Sequence, residues 1–586
     1  MLKIRSKYNL IRNCCNITSI ANPVYSDRES CTKSHANDVP KKEFVNFDWM
    51  NRQRRDEARR SVLVQVNSEK SFDELQLYCN PIAKIRSAHH YTVAQDSHYI
   101  LLELESAKEA DALLDSCVYN DDSIKQGIPT KSHFLWFRTG PTPKLQPEKP
   151  VPLTSLNGNK LVDAELPNFL AAAENVEEQM NIVYESTKVT DLGMRTRYLA
   201  AQQIMSSVEG MFPHAIAHPF GSSVNGFGKV GCDLDLVLEL KPENDKTDSE
   251  SRLVFHTKSN SYTVRTQLSS ISDILQSILP GVHNVRRILQ ARVPIVKYKH
   301  EYLDLEVDLS MNNLTGAYMS ELLYMFGEMD QRVRPLVFCI RRWAKSAGLT
   351  NPQAPGRWIT NFSLTMLVIF FLQSHKNPVL PSINYLKTNA RPCDTRITEN
   401  INCTFLRDLN LMKFKTNNSQ SIEDLLLDFF QFYSTFDFSK RGISLTEGED
   451  ITKPDHSAMH IVNPLEPELN ISKNVSLEEM GRFCIECRNA VWILESDQER
   501  EMKKGPVQPW GLMKLFKLNQ SVNQPKIFIQ PRLVQIADLF EEEENVPYVR
   551  RNYKNETTRK TIEEIKKKNK KDLTEIGKRF NQPRQR

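Results

Sequence analysis

The sequence predicts an α+β protein of several domains, and three observations carry that prediction. The chain has 586 residues, 40% hydrophobic and 25% charged, which is enough for about three to four domains with buried cores. Residues 60–138 show short strand and helix patterns in the order βαββαβ. Further along, two alternating acidic strand patterns are accompanied by long stretches with helical apolar spacing.

The βαββαβ segment follows from its apolar periodicity. The predicted elements are a strand at 61–66, a helix at 71–83, strands at 84–93 and 98–106, a helix at 107–117 and a strand at 132–138. After this segment, the proline-rich residues 139–160 are predicted to be a stiff linker.

Hydropathy argues against a membrane-spanning segment. The longest apolar run, "FSLTMLVIFFLQ" at residues 362–373, is shorter than the roughly 20 residues that a spanning helix needs. We therefore expect a buried helix there. Net charge is only +5, but residues 549–586 hold fourteen Lys or Arg and five Asp or Glu. The basic tail, residues 545–586, suits a polyanion, and a solvated charged end is the alternative interpretation.

The N-terminus resembles a mitochondrial targeting segment. Four basic residues precede the first acidic residue, Asp27, and no continuous apolar core of the secretory type is present. We expect residues 1–40 to hold a transit peptide and a disordered start, with the mature protein in the mitochondrial matrix. An ordinary disordered N-terminus is the alternative.

Residues 60–138 resemble an RNA-recognition-motif fold, in which aromatic residues on the two central strands stack on bases. Tyr99 matches one of those positions, but Leu63 and Leu101 stand where other stacking aromatics belong. An aliphatic sheet face is expected to pack against another protein surface. We therefore expect a homodimer in which this domain takes part.

Residues 220–240, "FGSSVNGFGKVGCDLDLVLEL", contain two competing phosphate-site patterns. Gly226, Gly228 and Gly231 fit G-x-G-x-x-G, the pattern of a dinucleotide loop. Such a loop must open a helix, whereas this triplet leads into an alternating strand pattern. The glycine triplet is therefore interpreted as part of a turn-rich loop.

The second pattern in this stretch predicts a metal site. Asp233 and Asp235 project from one face of the predicted strand, about 7 Å apart, and repel each other unless they share a cation. Mg²⁺, or Mn²⁺ in its place, is held by such carboxylates together with substrate phosphates. Gly221 lets the backbone approach a phosphate, and the Ser222 hydroxyl can donate a hydrogen bond to it.

A two-metal site needs a third carboxylate, and residues 301–313, "EYLDLEVDLSMNN", provide candidates on another alternating strand. Its leucines and Val307 share one face, and Asp304, Glu306 and Asp308 share the other. Periodicity alone does not choose among these three acids.

The order Phe-Gly-Ser, Asp-x-Asp and a later strand Asp resembles the DNA polymerase β-like nucleotidyltransferases. In that family the third aspartate belongs to a string like "VDLSMNN", which implies Asp308. The resemblance implies a catalytic palm domain at residues 195–310. It also implies that Asp233, Asp235 and Asp308 hold two Mg²⁺ ions that serve an RNA 3′-hydroxyl and the α-phosphate of a nucleotide.

The C-terminal half resembles the terminal nucleotidyltransferases, and among them the mitochondrial poly(A) polymerases. The matching segments are "RPLVFCIRRWAKSAGLT", "PGRWITNFSLTMLVIFFLQ", "SIEDLLLDFFQFYSTFDFSKRGISLTEG" and the recognition loop "NPLEPELNISKNVS". The resemblance implies a helical central and poly(A)-polymerase-associated domain over residues 161–194 and 311–500. It also implies that ATP is the substrate and that AMP is added to the 3′ ends of mitochondrial RNA.

Several residues are implied to contact the nucleotide. Arg341 and Lys345 are four apart on one helix face and would neutralise triphosphate oxygens, with a solvated basic face as the alternative. Phe362 would stack on the base. Asn312 and Asn313 are candidates for contacts with the sugar hydroxyls.

The recognition loop bears on nucleotide choice. Asn470 would serve base recognition or loop geometry. Leu469 occupies the place where related uridylyltransferases have a histidine beside the uracil, which predicts a preference for ATP over UTP. A terminal uridylyltransferase, and a catalytically inactive RNA-binding scaffold, are the two alternative functions.

Overall fold

The computed structural model describes residues 44–94, 97–117, 120–121, 126–127, 132–138, 150–155, 165–240, 261–351, 356–398, 401–498 and 509–518. The chain divides into two units at residue 530, and every described residue belongs to the first. The predicted transit segment 1–40, the basic tail 545–586 and most of the predicted linker 139–160 lie outside the described residues.

The N-terminal part is built around a five-stranded sheet. Its elements are α1 Phe47–Arg59, β1 Ser61–Val66, α2 Phe72–Cys79, β2 Ile85–Val93, β3 Ser97–Leu104, α3 Ala107–Ser116, β4 Phe134–Trp136 and β5 Leu153–Ser155. The strand order is β4-β1-β3-β2-β5. Helix α2 ends earlier than its sequence pattern predicts, because Pro81 has no backbone N–H with which to continue the helical hydrogen bonds beyond Asn80.

One face of this first sheet packs on a second domain of the same chain. Leu63, Tyr99 and Leu101 are at most 3% exposed and share a hydrophobic core with the second sheet. The Tyr91 hydroxyl donates a hydrogen bond to the Tyr302 carbonyl (2.9 Å), and the rings of Tyr99 and Tyr302 lie 5.6 Å apart. The aliphatic face is therefore buried, as its composition suggests, but the surface that buries it is intramolecular.

The middle of the chain forms a second five-stranded sheet. Its elements are α4 Leu166–Ala171, α5 Val176–Thr187, α6 Asp191–Val208, β6 Ala215–Phe220, β7 Leu234–Leu240, α7 Ser261–Ile278, β8 Val282–Ile288, β9 Ile295–His300 and β10 Leu305–Met311. The strand order is β8-β9-β10-β7-β6, in which only β7 and β10 run parallel. The buried faces of β7 and β10, with Leu234, Leu236, Val307 and Leu309, pack into the core that also holds apolar residues of α6 and α7.

The C-terminal half is mainly helical. Its elements are α8 Thr315–Met329, α9 Val333–Ser346, α10 Asn361–Ser374, α11 Ile383–Thr388, α12 Ile422–Thr435, β11 Arg441–Ser444, β12 Glu449–Thr452, α13 Leu477–Gln498 and α14 Leu512–Leu515. Helix α10 carries the long apolar run and is buried from Ser363 to Gln373, as predicted. No helix within the described ranges is both long and apolar enough to cross a membrane.

Ion pairs tie the first sheet to the second domain. Glu103, on β3, accepts hydrogen bonds from Arg60 (2.6 Å) and from Arg195 of α6 (2.7 Å). Arg195 also contacts Asp191 at 2.7 Å. Because Arg60, Glu103, Arg195 and Asp191 are largely buried, solvent ions screen their charges only weakly. These pairs, together with the shared apolar core, fix the N-terminal sheet against the domain that carries the acidic strands.

Candidate active site

The register of the parallel strands β7 and β10 brings two of the predicted acids side by side. Asp235 on β7 is the register partner of Asp308 on β10, and neighbouring strands lie about 4.8 Å apart. Asp233 immediately precedes β7, so its side chain is more exposed than that of Asp235. Asp304 lies ahead of β10 with a positive φ of 47° and contacts Lys299 instead.

A single lysine serves as the counter-ion of these carboxylates. Lys297, on β9, is the register partner of Asp308, and its Nζ lies 3.2 Å from Asp308 Oδ1. The same Nζ lies 3.2 Å from Glu306 Oε2 and 3.8 Å from Asp233 Oδ2. No sequence pattern identified Lys297, because its position opposite Asp308 follows from the pairing of β9 with β10.

The electrostatics of the cluster reflect burial and like charge. Burial, and then the charges of Asp308 and Asp233, raises the pKa of Asp235 to about 7. Burial also raises the pKa of Asp233, against the opposing effect of Lys297. Burial alone would lower the pKa of Lys297, but Asp308 and its acidic neighbours raise it overall. The ionised carboxylates repel one another, and a bound cation would therefore stabilise them.

The loop after β6 approaches Asp235 through a glycine. Gly221 has a φ of +70°, and a Cβ at this position would clash with Asp235 Oδ2. Its N–H donates to Ser320 Oγ (2.7 Å), which anchors the loop to α8. Ser222 follows on the same short turn and is half-buried. The backbone thus reaches the carboxylate at the place where the sequence predicts a phosphate-approach glycine.

A buried arginine holds the segment before Asp233. Arg197, on α6, is fully buried and donates to Ser223 Oγ (3.1 Å) and to the Cys232 carbonyl (2.7 Å). Ser223 Oγ in turn donates to the Asp233 carbonyl at 2.9 Å. The sequence did not predict this role of Arg197, because an arginine within a helix carries no local signal of the groups that it will contact.

The carboxylates fit a divalent cation by their chemistry but are not gathered around one point. Within the described ranges, no three His, Cys, Asp or Glu side chains are arranged as a ligand set. Asp308 Oδ1 is nevertheless buried and makes no hydrogen bond, and its close neighbour is the Lys297 ammonium. Carboxylate oxygens are the preferred ligands of Mg²⁺ and Mn²⁺, so the three aspartates fit such an ion by the chemistry of their side chains.

Arg341 and Lys345 share α9, but their side chains have different surroundings. Arg341 donates to the Phe227 carbonyl (2.5 Å), to the Asn361 carbonyl (3.2 Å) and to Thr365 Oγ1. Burial lowers the pKa of this guanidinium to about 10. Lys345 is exposed and makes no side-chain hydrogen bond or ion pair within the part of the chain that the structure describes.

The other predicted nucleotide contacts are half-buried, and the three asparagines have backbone partners. Phe362 lies in the first turn of α10 and packs against the helical core. Asn312 Oδ1 accepts from the Leu240 N–H (3.0 Å), and Asn313 Oδ1 accepts from the Thr315 N–H (3.1 Å). These two bonds fasten the end of β7 and the start of α8, leaving the amide NH₂ groups as the available donors.

Asn470 stabilises the recognition loop, residues 463–476, through hydrogen bonds. Its Oδ1 accepts from the N–H groups of Ile461 (3.1 Å) and Ser472 (2.9 Å). Its Nδ2 donates to Ser457 Oγ (3.1 Å) and to the Met459 carbonyl (2.9 Å). Since both ends of the amide are engaged, these contacts favour the loop-geometry role over base recognition.

Two family models match parts of this chain. The family model described as "Poly(A) RNA polymerase, mitochondrial-like, central palm domain" matches residues 176–328, which include all three aspartates. The model described as "Cid1 family poly A polymerase" matches residues 421–486.

Two relatives and one solved structure cover most of the chain. It is 50% identical to the mitochondrial poly(A) RNA polymerase of Drosophila melanogaster over 548 residues, 89% of each chain. It is 35% identical to the human protein of the same name, over 82% of this chain and 81% of that one. A crystal structure of mtPAP in complex with ATPγS is similar with a TM-score of 0.72 and 33% identity, covering 80% of this chain and 99% of that one.

Proposed function

The chain belongs to the family of mitochondrial poly(A) RNA polymerases, and we propose that Asp233, Asp235 and Asp308 carry its reaction. The enzyme is mitochondrial and adds AMP from ATP to RNA 3′ ends. The observation that supports the proposed site best is the register of Asp235 with Asp308, beside a loop whose glycine lies against Asp235. The relatives favour adenylyl transfer over the uridylyltransferase and inactive-scaffold alternatives.

The aspartates would hold two Mg²⁺ or Mn²⁺ ions, which would supply activation of the RNA 3′-hydroxyl and stabilisation of charge on the α-phosphate. Asp235 and Asp308, which are partners in the register of β7 and β10, would both supply ligand oxygens. The side chains of Ser222 and Lys345 make no hydrogen bond or ion pair with any described residue, so the hydroxyl and the ammonium would serve the phosphates of the nucleotide.

The proposal is tested by neutralising single acids. Asp235→Asn and Asp308→Asn should each lower the rate of AMP addition by about a thousandfold or more, since metal stabilisation is worth several kcal/mol. Asp304→Asn is the matched control. Asp304 lies four residues before Asp308 and contacts only Lys299 among the charged groups described. Extension of a labelled oligonucleotide with each nucleotide separately measures the effect. Near-normal extension by Asp235→Asn would refute the site.

We also propose that Leu469 contributes to the preference for ATP. Its backbone is fixed by hydrogen bonds with Asn463 (2.9 Å) and Glu466 (2.9 Å), and its side chain is half-buried. An aliphatic side chain offers no donor to the uracil edge. Leu469→His should raise UTP use relative to ATP at matched low concentrations, and Leu469→Met should leave the ratio unchanged. An unchanged ratio in Leu469→His would contradict this role.

A homodimer through residues 60–138 is proposed on a different surface from the one that the sequence suggested. The first sheet's apolar face is buried within the chain, but Trp136 on its edge strand β4 is 65% exposed. Nearby, the rings of Tyr78 and Phe137 lie 5.9 Å apart, and Tyr78 is also exposed. Light scattering should show a dimer for the wild type and a monomer for Trp136→Arg. A dimer that persists in this variant would exclude the β4 edge.

A further inference from the structure

We infer that the RNA strand being extended crosses the second sheet from the catalytic aspartates to its β8 edge, with a backbone phosphate bound by Arg286. This inference rests on the proposed function, since it places the substrate of that same site. It assigns a role to the hairpin of β8 and β9, residues 282–300.

The register of four strands sets out the path. Arg286 on β8 pairs with Lys297 on β9, Lys297 pairs with Asp308, and Asp308 pairs with Asp235. Paired residues of adjacent strands point to the same face of a sheet. Four charged side chains therefore form one row across the sheet, acidic at the catalytic end and basic at the edge.

The spacing of this row suits a nucleic-acid backbone. Adjacent strands are about 4.8 Å apart, so the Arg286 backbone lies roughly 10 Å from that of Asp308. A 3′-terminal nucleotide whose hydroxyl is at Asp308 must extend away from the ATP site, and the basic half of the row lies in reach of the phosphates behind it. Between Val282 and His300 the sequence has five Lys or Arg and no Asp or Glu.

Two adjacent arginines show which side of the sheet is available. Arg287 points to the opposite face and donates to Ser272 Oγ (3.0 Å) and Ser269 Oγ (2.8 Å) of α7, with Asp273 as its ion-pair partner. Arg286 is exposed and makes no side-chain hydrogen bond or ion pair with any described residue. The guanidinium on the catalytic face is thus the one left free for a phosphate.

Apolar surface accompanies the free arginine. Ile288, two residues further along β8 and on the same face, is 43% exposed, and Val293 in the hairpin turn is 36% exposed. Phosphate contacts position a strand, while apolar side chains beside them pack against sugars and bases. At the hairpin tip, Arg292 Nη2 contacts Glu466 Oε1 at 2.5 Å, which holds the hairpin against the recognition loop. The edge is therefore a fixed surface.

Because one face of the first sheet is buried, the RNA must bind at another surface. Its usual base-stacking face is covered by the second domain, with Tyr99, Leu101 and Leu63 in the shared core. That face cannot guide the primer in this fold. The β8 edge provides the phosphate contact that the covered sheet does not.

Steady-state kinetics with an oligoadenylate primer test the inference. Arg286→Ala should raise the KM for RNA roughly 5- to 10-fold at low salt, while kcat at saturating RNA and the KM for ATP stay unchanged. The log–log slope of RNA affinity against salt should fall by about 1, the loss of one phosphate contact. Arg286→Lys should recover most of the affinity, because a phosphate also accepts an ammonium.

Two control variants separate this role from general charge or stability. Arg59→Ala removes an exposed arginine of α1 that is paired with Asp56, and should leave the KM for RNA unchanged. Arg287→Ala should lower the melting temperature without changing RNA affinity per folded molecule. An unchanged KM and salt slope in Arg286→Ala would overturn the inference.

Fluorescence anisotropy with labelled oligoadenylate distinguishes the two possible failures. If the wild type adds no nucleotide, the proposed function fails, but a weaker RNA affinity of Arg286→Ala than of Arg59→Ala would still support the path. If the wild type extends RNA and both variants bind it equally well, the proposed function stands and the path is wrong.

Discussion

At the scale of single residues, side chains of like charge have different roles, because the fold gives them different neighbours. Arg341 and Lys345 are one helical turn apart, yet Arg341 bridges α9, α10 and the loop at Phe227, whereas Lys345 has no polar partner among the described residues. Among the glycines, Gly221 lies against the Asp235 carboxylate, whereas Gly210 has open space where a Cβ would lie. Variants at these positions separate structural from chemical roles.

Gly221→Ala should lower AMP addition by on the order of 100-fold. The new methyl group collides with Asp235 Oδ2, and displacing a catalytic group by about 1 Å has an effect of that size. Its positive φ adds backbone strain. Gly210→Ala is the control and should retain activity. Wild-type rates in Gly221→Ala would mean that Asp235 tolerates displacement.

Arg341→Met and Lys345→Met should have opposite signatures. Arg341→Met removes the donor to the Phe227 carbonyl, the Asn361 carbonyl and Thr365 Oγ1, and should lower the free energy of unfolding by about 1–3 kcal/mol. Lys345→Met should leave stability unchanged and raise the KM for ATP, because only triphosphate neutralisation is lost. Urea unfolding and steady-state kinetics on both variants check this. A KM effect confined to Arg341→Met would reverse the assignment.

At the scale of elements, α8 connects the acidic strands to the helical half through a buried ion pair. Glu321 on α8 contacts Arg407 Nε through Oε1 at 2.9 Å, and both side chains are 4% exposed. Burial raises the pKa of Glu321 from 4.5 to about 7, against the opposing charge of Arg407. Helix α8 also anchors Gly221 through Ser320.

Glu321 predicts a pH dependence of stability. Its pKa is higher in the folded than in the unfolded protein, so the folded state binds the proton more tightly. The stabilisation is complete below about pH 4.5 and is lost as the pH rises through about 7. Glu321→Gln should flatten the decline of melting temperature over this range. An unchanged pH profile in the variant would show that other groups dominate it.

At the scale of the whole molecule, the N-terminal sheet and the domain of the acidic strands share one hydrophobic core. Residues of β1, β3 and β4 are buried together with residues of β7, β10 and α6. A sheet face of the RNA-binding type has thereby become an internal interface. We expect the two parts to unfold together, since neither buries this surface alone.

Leu101→Ala should destabilise both parts at once, by about 2–5 kcal/mol, because it opens a cavity in the shared core. Calorimetry should show one transition that moves to lower temperature. Leu102→Ala is the matched control: Leu102 is equally buried but belongs to the core on the sheet's other face. Because the two parts are expected to unfold together, it should move the same single transition. A separate early transition in Leu101→Ala would show that the two parts unfold independently.

The sequence by itself determined the class of fold and the family, and it predicts the residues of the acidic triad. These depend on local order: alternation places Asp235 opposite the buried Leu234 and Leu236, and the family string selects Asp308. Strand alternation was accurate for β7 and β10, although Asp233 and Asp304 proved to lie just ahead of the strands.

Only the tertiary structure decided what stands opposite each of those residues. Lys297 meets Asp308 because β9 pairs with β10, and Arg286 joins the row because β8 pairs with β9. Asn470 is engaged by groups nine to thirteen residues away in a folded loop. The covering of Tyr99 by Tyr302 joins residues two hundred positions apart. Periodicity reports which side chains share a face, but strand order and domain packing, which arise from long-range pairing, decide what that face meets.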